Sequence, residues 1–383
     1  MNAFANLHYE TPLPSIDQAR PIQRESVSAE LRRGRGAVSN AGGRFEPLQR
    51  EVSDDGWGSL ETLPAFKTET IIEKPKSIIT RNDSPDLNFD RSINPYRGCE
   101  HGCVYCFARP THAYMGLSPG LDFESRLFVK EGAAGLLERE LARDTYSAKT
   151  VAIGTNTDPY QPIERKHRLM RGILEVLAKA QHPVAIVTKS ALVVRDIDIL
   201  APMAKLGLAK VAISITTLDP ILARKLEPRA PTPQKRLDTI KELAKAGIPV
   251  SVMVAPIIPG VNDAEIETIL TRAQAYGACE AGYVMLRLPL EVKDLFRQWL
   301  LEHYPDKLRH VMALVQSTHE GKDYDATFGT RMKGTGPYAW MLGRRFEIAA
   351  QKLGLNARKT RLRTDLFAPP TKVNKQLSLL ELL

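Results

Sequence analysis

A chain of 383 residues with 43% hydrophobic content is long enough to bury a large core, and its four cysteines, clustered rather than paired, fit a reducing compartment. Its formal net charge is +9. No window approaches the roughly 18 uninterrupted apolar residues of a membrane helix, and no charged-then-apolar leader opens the sequence, so the expectation is a cytoplasmic protein with no membrane partner.

In chain order, residues 1–75 lack apolar periodicity and carry Pro12, Pro14, Pro21 and a Gly/Ser/Asn stretch from Gly34 to Gly43, which predicts a largely disordered, mixed-charge extension. A core over 76–305 follows. Its β-branched runs at 150–154, 184–188, 211–215, 250–254 and 283–286, with a first strand just before Cys99, alternate with amphipathic stretches near 130–143, 164–180, 195–206, 233–246, 263–276 and 290–303. Strands alternating with helices imply parallel pairing through right-handed crossovers. Six such units make an α/β fold, a partial (β/α)6 barrel of the TIM type, whose reactive groups sit at the C-terminal strand ends.

Beyond 306 the expectation is a basic helical extension to residue 383. Residues 331–363 hold nine basic side chains (Arg331, Lys333, Arg344, Arg345, Lys352, Arg358, Lys359, Arg361 and Arg363) against one acid, Glu347, a net +8 of the chain's +9. Tyr338, Trp340 and Phe346 are interleaved on a helix starting near Pro337. Two readings stand: a nucleic-acid partner whose phosphates and bases such a surface would bind, or a basic surface helix whose aromatic face docks on the barrel.

Three cysteines, Cys99, Cys103 and Cys106, lie in the run Asn94-Pro-Tyr-Arg-Gly-Cys-Glu-His-Gly-Cys-Val-Tyr-Cys-Phe-Ala-Arg109. A C-x3-C-x2-C loop can turn three thiolates toward one cubane and leave its fourth iron without a protein ligand. Tyr105 and Phe107 would shield such a cluster from water. A structural zinc completed by His101 or His112 is the competing use, although structural zinc is more often held by two separated ligand pairs; a disulfide would leave one thiol over. The zinc reading corresponds to a nucleic-acid-binding module, and a cluster without chemistry to a scaffold or sensor.

The cysteine motif resembles the cluster loop of the radical S-adenosylmethionine (SAM) superfamily. The runs Gly154-Thr-Asn-Thr-Asp-Pro-Tyr-Gln-Pro-Ile-Glu164, Val187-Thr-Lys-Ser190, Ala212-Ile-Ser-Ile215, Leu226-Glu-Pro-Arg229 and Val254-Ala-Pro-Ile-Ile-Pro-Gly260 resemble, in the same order, its spore photoproduct lyase-like branch, over about residues 90 to 290. The resemblance implies a radical SAM barrel, a [4Fe-4S] cluster on Cys99, Cys103 and Cys106, SAM chelated at the open iron, and an external flavodoxin- or ferredoxin-type electron donor. It also implies that Thr157 and Asp158 face the methionyl amino group, that Lys189 meets the SAM carboxylate or ribose, and that Ser214 bonds nearby.

Read without the resemblance, Asp158-Pro159 starts a turn, Lys189 is a solvated loop charge and Ser214 a satisfied core hydroxyl. Glu227 and Arg229 sit on a proline-fixed loop before a helix capped by Thr232 and opened by Pro233. The Val254–Gly260 run implies a loop packed on adenine, or else an ordinary connection capped by Asn262 or Asp263. One departure from the branch bears on the reaction. Where the lyase carries a hydrogen-donating cysteine, this chain has Thr155, whose O–H bond is too strong for that task. Tyr160 is an alternative donor, and Cys279 reads as an incidental thiol.

Overall fold

The computed structural model describes residues 26–45 and 65–371. Its strands in chain order are β1 (Glu69–Glu73), β2 (Ile79–Arg81), β3 (Arg91–Ile93), β4 (Tyr96–Arg97), β5 (Arg126–Lys130), β6 (Val151–Ile153), β7 (Val184–Thr188), β8 (Ala209–Ser214), β9 (Val250–Ile257) and β10 (Glu280–Met285). The longer helices are α1 (Asp122–Ser125), α2 (Ala133–Leu141), α3 (Glu164–His167), α4 (Leu169–Lys179), α5 (Ile197–Lys205), α6 (Pro220–Leu226), α7 (Pro233–Lys245), α8 (Ile266–Ala275), α9 (Val292–His303), α10 (Leu308–Ser317) and α11 (Gly336–Lys352).

The main sheet runs β10-β9-β8-β7-β6-β3-β2. Every pair from β3 to β10 is parallel, and β2 closes the edge antiparallel to β3. Six parallel strands in sequence order, each reached through a helical crossover, form the expected partial barrel. Its strands are β-branched runs such as Val184–Thr188, buried on alternate residues, and its helices present one apolar stripe inward. In α4 that stripe is Met170, Ile173, Leu174 and Leu177, each fully buried and contributing about 1.5–3 kcal/mol by leaving water.

The single helix expected over 164–180 is broken at Arg168, which adopts a left-handed backbone (φ 51°) between α3 and α4. The buried Glu164 carboxylate accepts the Met170 N–H (3.1 Å), which satisfies a donor that a helix start leaves open.

The expectation of disorder over 1–75 does not hold for residues 26–45 and 65–75. Arg35, Ala37, Val38 and Ser39 are buried, and β1 pairs with β5 in a second sheet of order β1-β5-β4. The remainder of 1–75, and residues 372–383, lie outside the described residues.

The segment after 306 is continuous with the barrel core. Leu342, Phe346, Ala350 and Leu355 join the same apolar cluster as the strands, and the Phe346 ring lies 4.7 Å from that of Tyr283 on β10. Arg345 pairs with Glu267 (2.7 Å), Arg331 with Asp86 (2.6 Å), Arg344 with Glu347 and Arg363 with Asp365. The aromatic face of α11 thus docks on the barrel through Tyr338 and Phe346, while Trp340 is 70% exposed.

Candidate active site

The cysteine loop follows β4, at the end of the barrel where the parallel strands finish. Two glycines shape it. Gly98 (φ +75°) and Gly102 (φ +69°) both have left-handed backbones, and a Cβ at Gly102 would lie 2.7 Å from a Glu124 oxygen. Backbone bonds then fold the loop on itself, Gly102 N–H to Cys99 O (3.3 Å), Cys106 N–H to Cys103 O (3.2 Å) and Arg109 N–H to Cys106 O (3.2 Å).

A buried ion pair holds the loop from behind. Arg109 donates to Cys103 O (2.9 Å), Pro119 O (3.0 Å), Gly120 O (2.9 Å) and Glu124 (2.5 Å). Glu124 in turn accepts the Gly36 and Ala37 N–H groups, each at 2.8 Å, so the N-terminal segment seals the arrangement. Gln161 reaches both sides of Cys99, accepting the Glu100 N–H (2.8 Å) and donating to Gly98 O (3.1 Å).

Cys99 and Cys103 are buried and Cys106 is partly so; all three are free thiols. Burial pushes Cys99 well above the ordinary thiol range, Cys103 up to about 12, and Cys106 upward, with Asp158 and then the other two cysteines adding to the rise at Cys99, and Glu227 and Cys106 at Cys103. A bound metal inverts that preference by taking the thiolate. The backbone amides of Asp158 and Ala108 favour the thiolate at Cys99 and Cys106 respectively, an influence that would also tune a cluster's potential. Among the described residues no three His, Cys, Asp or Glu side chains close around a single ion-sized point.

Asp158, at the end of β6, latches three elements. Its Oδ1 accepts the Thr188 hydroxyl (2.7 Å) and the Tyr160 N–H (2.9 Å), and its Oδ2 accepts the Lys189 N–H (2.7 Å). His101 Nδ1 lies 3.4 Å away, buried and without a hydrogen-bond partner. Burial alone would raise this carboxyl, but His101 and the donated bonds outweigh it and take the group to about 2.

Lys189, at the end of β7, places Nζ 3.4 Å from Ser214 Oγ, 3.9 Å from Glu227 and 5.8 Å from the Tyr105 ring centre. Burial lowers its pKa, yet Cys103 and Glu227 bring it above the ordinary lysine value. Glu227 itself accepts from Tyr105, from Thr216 (2.6 Å) and from Arg236, which is fully buried and also bonds Ser214 O (3.1 Å). Desolvation opposes the Glu227 charge, but Arg236 and Lys189 hold the carboxyl at about 2. Two cations against one carboxylate leave a local positive excess beside Cys103.

Of the expected SAM contacts, Asp158, Lys189 and Ser214 come together around the cysteine loop. Thr157 does not join them with a free hydroxyl: it donates to Tyr96 O (3.0 Å) inside the fold. Tyr160 is committed to Asp196 (3.0 Å), and Cys279 lies at the opposite, starting end of β10. Arg229 pairs with Glu100, and Asn262 clamps the β9 loop through Thr216 O (2.7 Å) and Pro256 O (3.0 Å). Arg109, Glu124, Gln161 and Arg236 escaped the sequence reading. Only Arg236, one turn inside a capped helix beside Glu227, had a local signal.

Residues 93–273 match the Radical SAM superfamily. An uncharacterised protein of Mycobacterium tuberculosis is 40% identical over 222 residues, 57% of this chain and 65% of that protein, so the match spans just under two thirds of the relative. An uncharacterised protein of Methanocaldococcus jannaschii is 29% identical over 240 residues, covering 63% of this chain and 85% of that one. Among solved structures, spore photoproduct lyase complexed with dinucleoside spore photoproduct aligns with a TM-score of 0.55 at 15% identity, over 75% of this chain and 80% of that one. A mutant of that lyase with bound AdoMet aligns at 0.54 and 14% over the same shares. These likenesses are of fold.

Proposed function

We propose that this chain, whose residues 93–273 match the Radical SAM superfamily, holds a [4Fe-4S] cluster and SAM and reductively cleaves SAM to act on a further substrate. A cluster held on the three cysteines would supply the single electron needed for reductive cleavage of SAM and so the means of taking a hydrogen atom from a substrate. Cys99, Cys103 and Cys106 would hold three irons. Lys189, carrying a positive charge not fully matched by Glu227, would receive the SAM carboxylate, with Ser214 beside it. Asp158 keeps the β6 and β7 ends and the cysteine loop in register, and it would face the methionyl amino group; Thr157 supports that strand end. The electron comes from an external flavodoxin- or ferredoxin-type donor, the setting is a reducing cytoplasm, and the substrate is a nucleic acid.

The observation that carries the reading is the convergence of Lys189, Asp158 and Glu227 on the three-cysteine loop within one matched domain. Its test is 5′-deoxyadenosine release from SAM by the anaerobically reconstituted, reduced protein, with iron content measured in parallel. Release by the native chain and none by Cys103→Ala, which should also lose its cluster iron, is the expected result. A full iron complement in Cys103→Ala would remove the ligand assignment, and tight zinc in place of iron would overturn the reading.

A further inference from the structure

Beyond β10 the chain alternates sharply in environment. Leu286 and Leu288 are buried in the apolar cluster that contains Cys103, Val104 and Tyr105, whereas Arg287 between them lies over Phe107, the residue after Cys106, at 4.8 Å from the ring centre. The loop that runs through residues 318–335 covers the other side. It is fastened to β10 by the Met285 N–H to Met332 O bond (2.9 Å), and its Tyr324 ring lies 5.8 Å from the same guanidinium.

Arg287 is half-buried and has no carboxylate partner among the described residues. Its contacts are the Tyr324 hydroxyl (3.1 Å) and the weak acceptor sulfur of Met332 (3.6 Å), while Nε is buried and unpartnered. A guanidinium has five N–H donors, so most of its capacity is unspent. Neighbouring charges do not compensate it. Asp86 is taken by Arg331 through two 2.6 Å bonds, and Asp323 by Arg297. Phe107 beneath it is 41% exposed, and Phe328, in the same covering loop as Tyr324, is 54% exposed with Arg331 over its ring at 4.6 Å. A poorly satisfied cation between two rings, one of them the exposed Phe107 next to Cys106, has the composition of a seat for a phosphate joined to a flat base.

We propose that Arg287, with Phe107, Tyr324 and Phe328, binds the substrate at the barrel mouth by holding a backbone phosphate of a single nucleic-acid strand while a base stacks on the exposed rings. This rests on the substrate class given above and moves the recognition surface from helix α11 to the mouth. The test is fluorescence anisotropy of a labelled oligothymidylate of about 12 nucleotides on cluster-loaded protein with SAM, across a salt series, with unlabelled thymidine 5′-monophosphate and thymidine as competitors.

Arg287→Ala should weaken strand binding roughly tenfold or more and reduce the salt slope by about 0.7, one phosphate contact on a single strand. Arg287→Lys should restore the slope but only part of the affinity, because an ammonium cannot fork onto a phosphate. Phe328→Ala should weaken binding with the slope unchanged. Competition by the monophosphate but not by the nucleoside supports phosphate capture. Unchanged strand affinity in Arg287→Ala, no strand binding by the native protein, or loss of SAM affinity in place of strand affinity would each overturn the proposal. Iron content and 5′-deoxyadenosine release, measured on the same samples, report separately on the radical SAM reading.

Discussion

Two buried glutamate–arginine pairs flank the cysteine loop, and they do opposite things. Behind it, Arg109 and Glu124 are both fully buried, and their remaining hydrogen-bonding capacity is met by backbone groups from the loop and the N-terminal segment. In front of it, Glu227 and Arg236 are as deeply buried, but a second cation, Lys189, stands 3.9 Å from the same carboxylate with only a long contact to Ser214. A closed pair is a clamp. Both pairs have a second cation close by, and they differ in how it is spent: Arg35 donates to the Glu124, Phe66 and Thr68 oxygens, whereas partly exposed Lys189 has only the long Ser214 contact and so keeps donors that the proposed function would use.

Breaking the clamp should have the largest effect. Arg109→Ala leaves Glu124 buried without its counter-ion, a change that costs about 3–5 kcal/mol, and it should abolish cluster assembly. The check is thermal unfolding of the protein before reconstitution, together with iron content after it. A near-native midpoint would show that the two pairs are energetically alike.

Acid should dismantle the front side in a defined window. Glu227 and Asp158 bind protons near pH 2 in the folded chain but at their ordinary, higher values when unfolded, so the unfolded state gains protons first as pH falls. Their stabilisation is complete above about pH 4.5. It is lost toward pH 2, at up to about 1.4 kcal/mol per pH unit for each group. Glu227→Gln should make the unfolding midpoint less dependent on pH across that window. An unaltered dependence would place the acid response elsewhere.

The smallest change in folding belongs to Lys189→Ala, within about 1 kcal/mol because no buried partner is left wholly unmatched while Arg236 remains on Glu227. Its effect should instead fall on SAM binding, weakened about tenfold or more in equilibrium dialysis of iron-replete protein. A large loss of stability with intact affinity would reassign Lys189 to the clamp class.

The barrel was legible because its strands are short β-branched runs and its helices keep an apolar stripe, both of which depend on neighbours in sequence. That Asp158, Lys189 and Ser214 meet near the cysteine loop was legible through ordered motifs. That the Thr157 hydroxyl donates to a carbonyl, Tyr96 O, could not be read, because sequence does not display backbone acceptors; its oxygen remains able to accept. The packing of residues 26–45 escaped for the same reason: Glu124 holds two backbone N–H groups there, and backbone donors carry no side-chain signature. Arg287 gave no signal at all, since its setting arises only when the loop after α10 returns to β10.

The N-terminal segment also sets a schedule for biosynthesis. Ser39 donates to Gln298 on α9 at 2.7 Å, across a sequence separation of 259 residues. The segment leaves the ribosome first, yet this anchor does not exist until most of the chain has been made. The wall behind the cysteines is therefore completed in two stages: its bonds to Glu124 and Asp122 become available early in synthesis, and its Gln298 anchor only near the end.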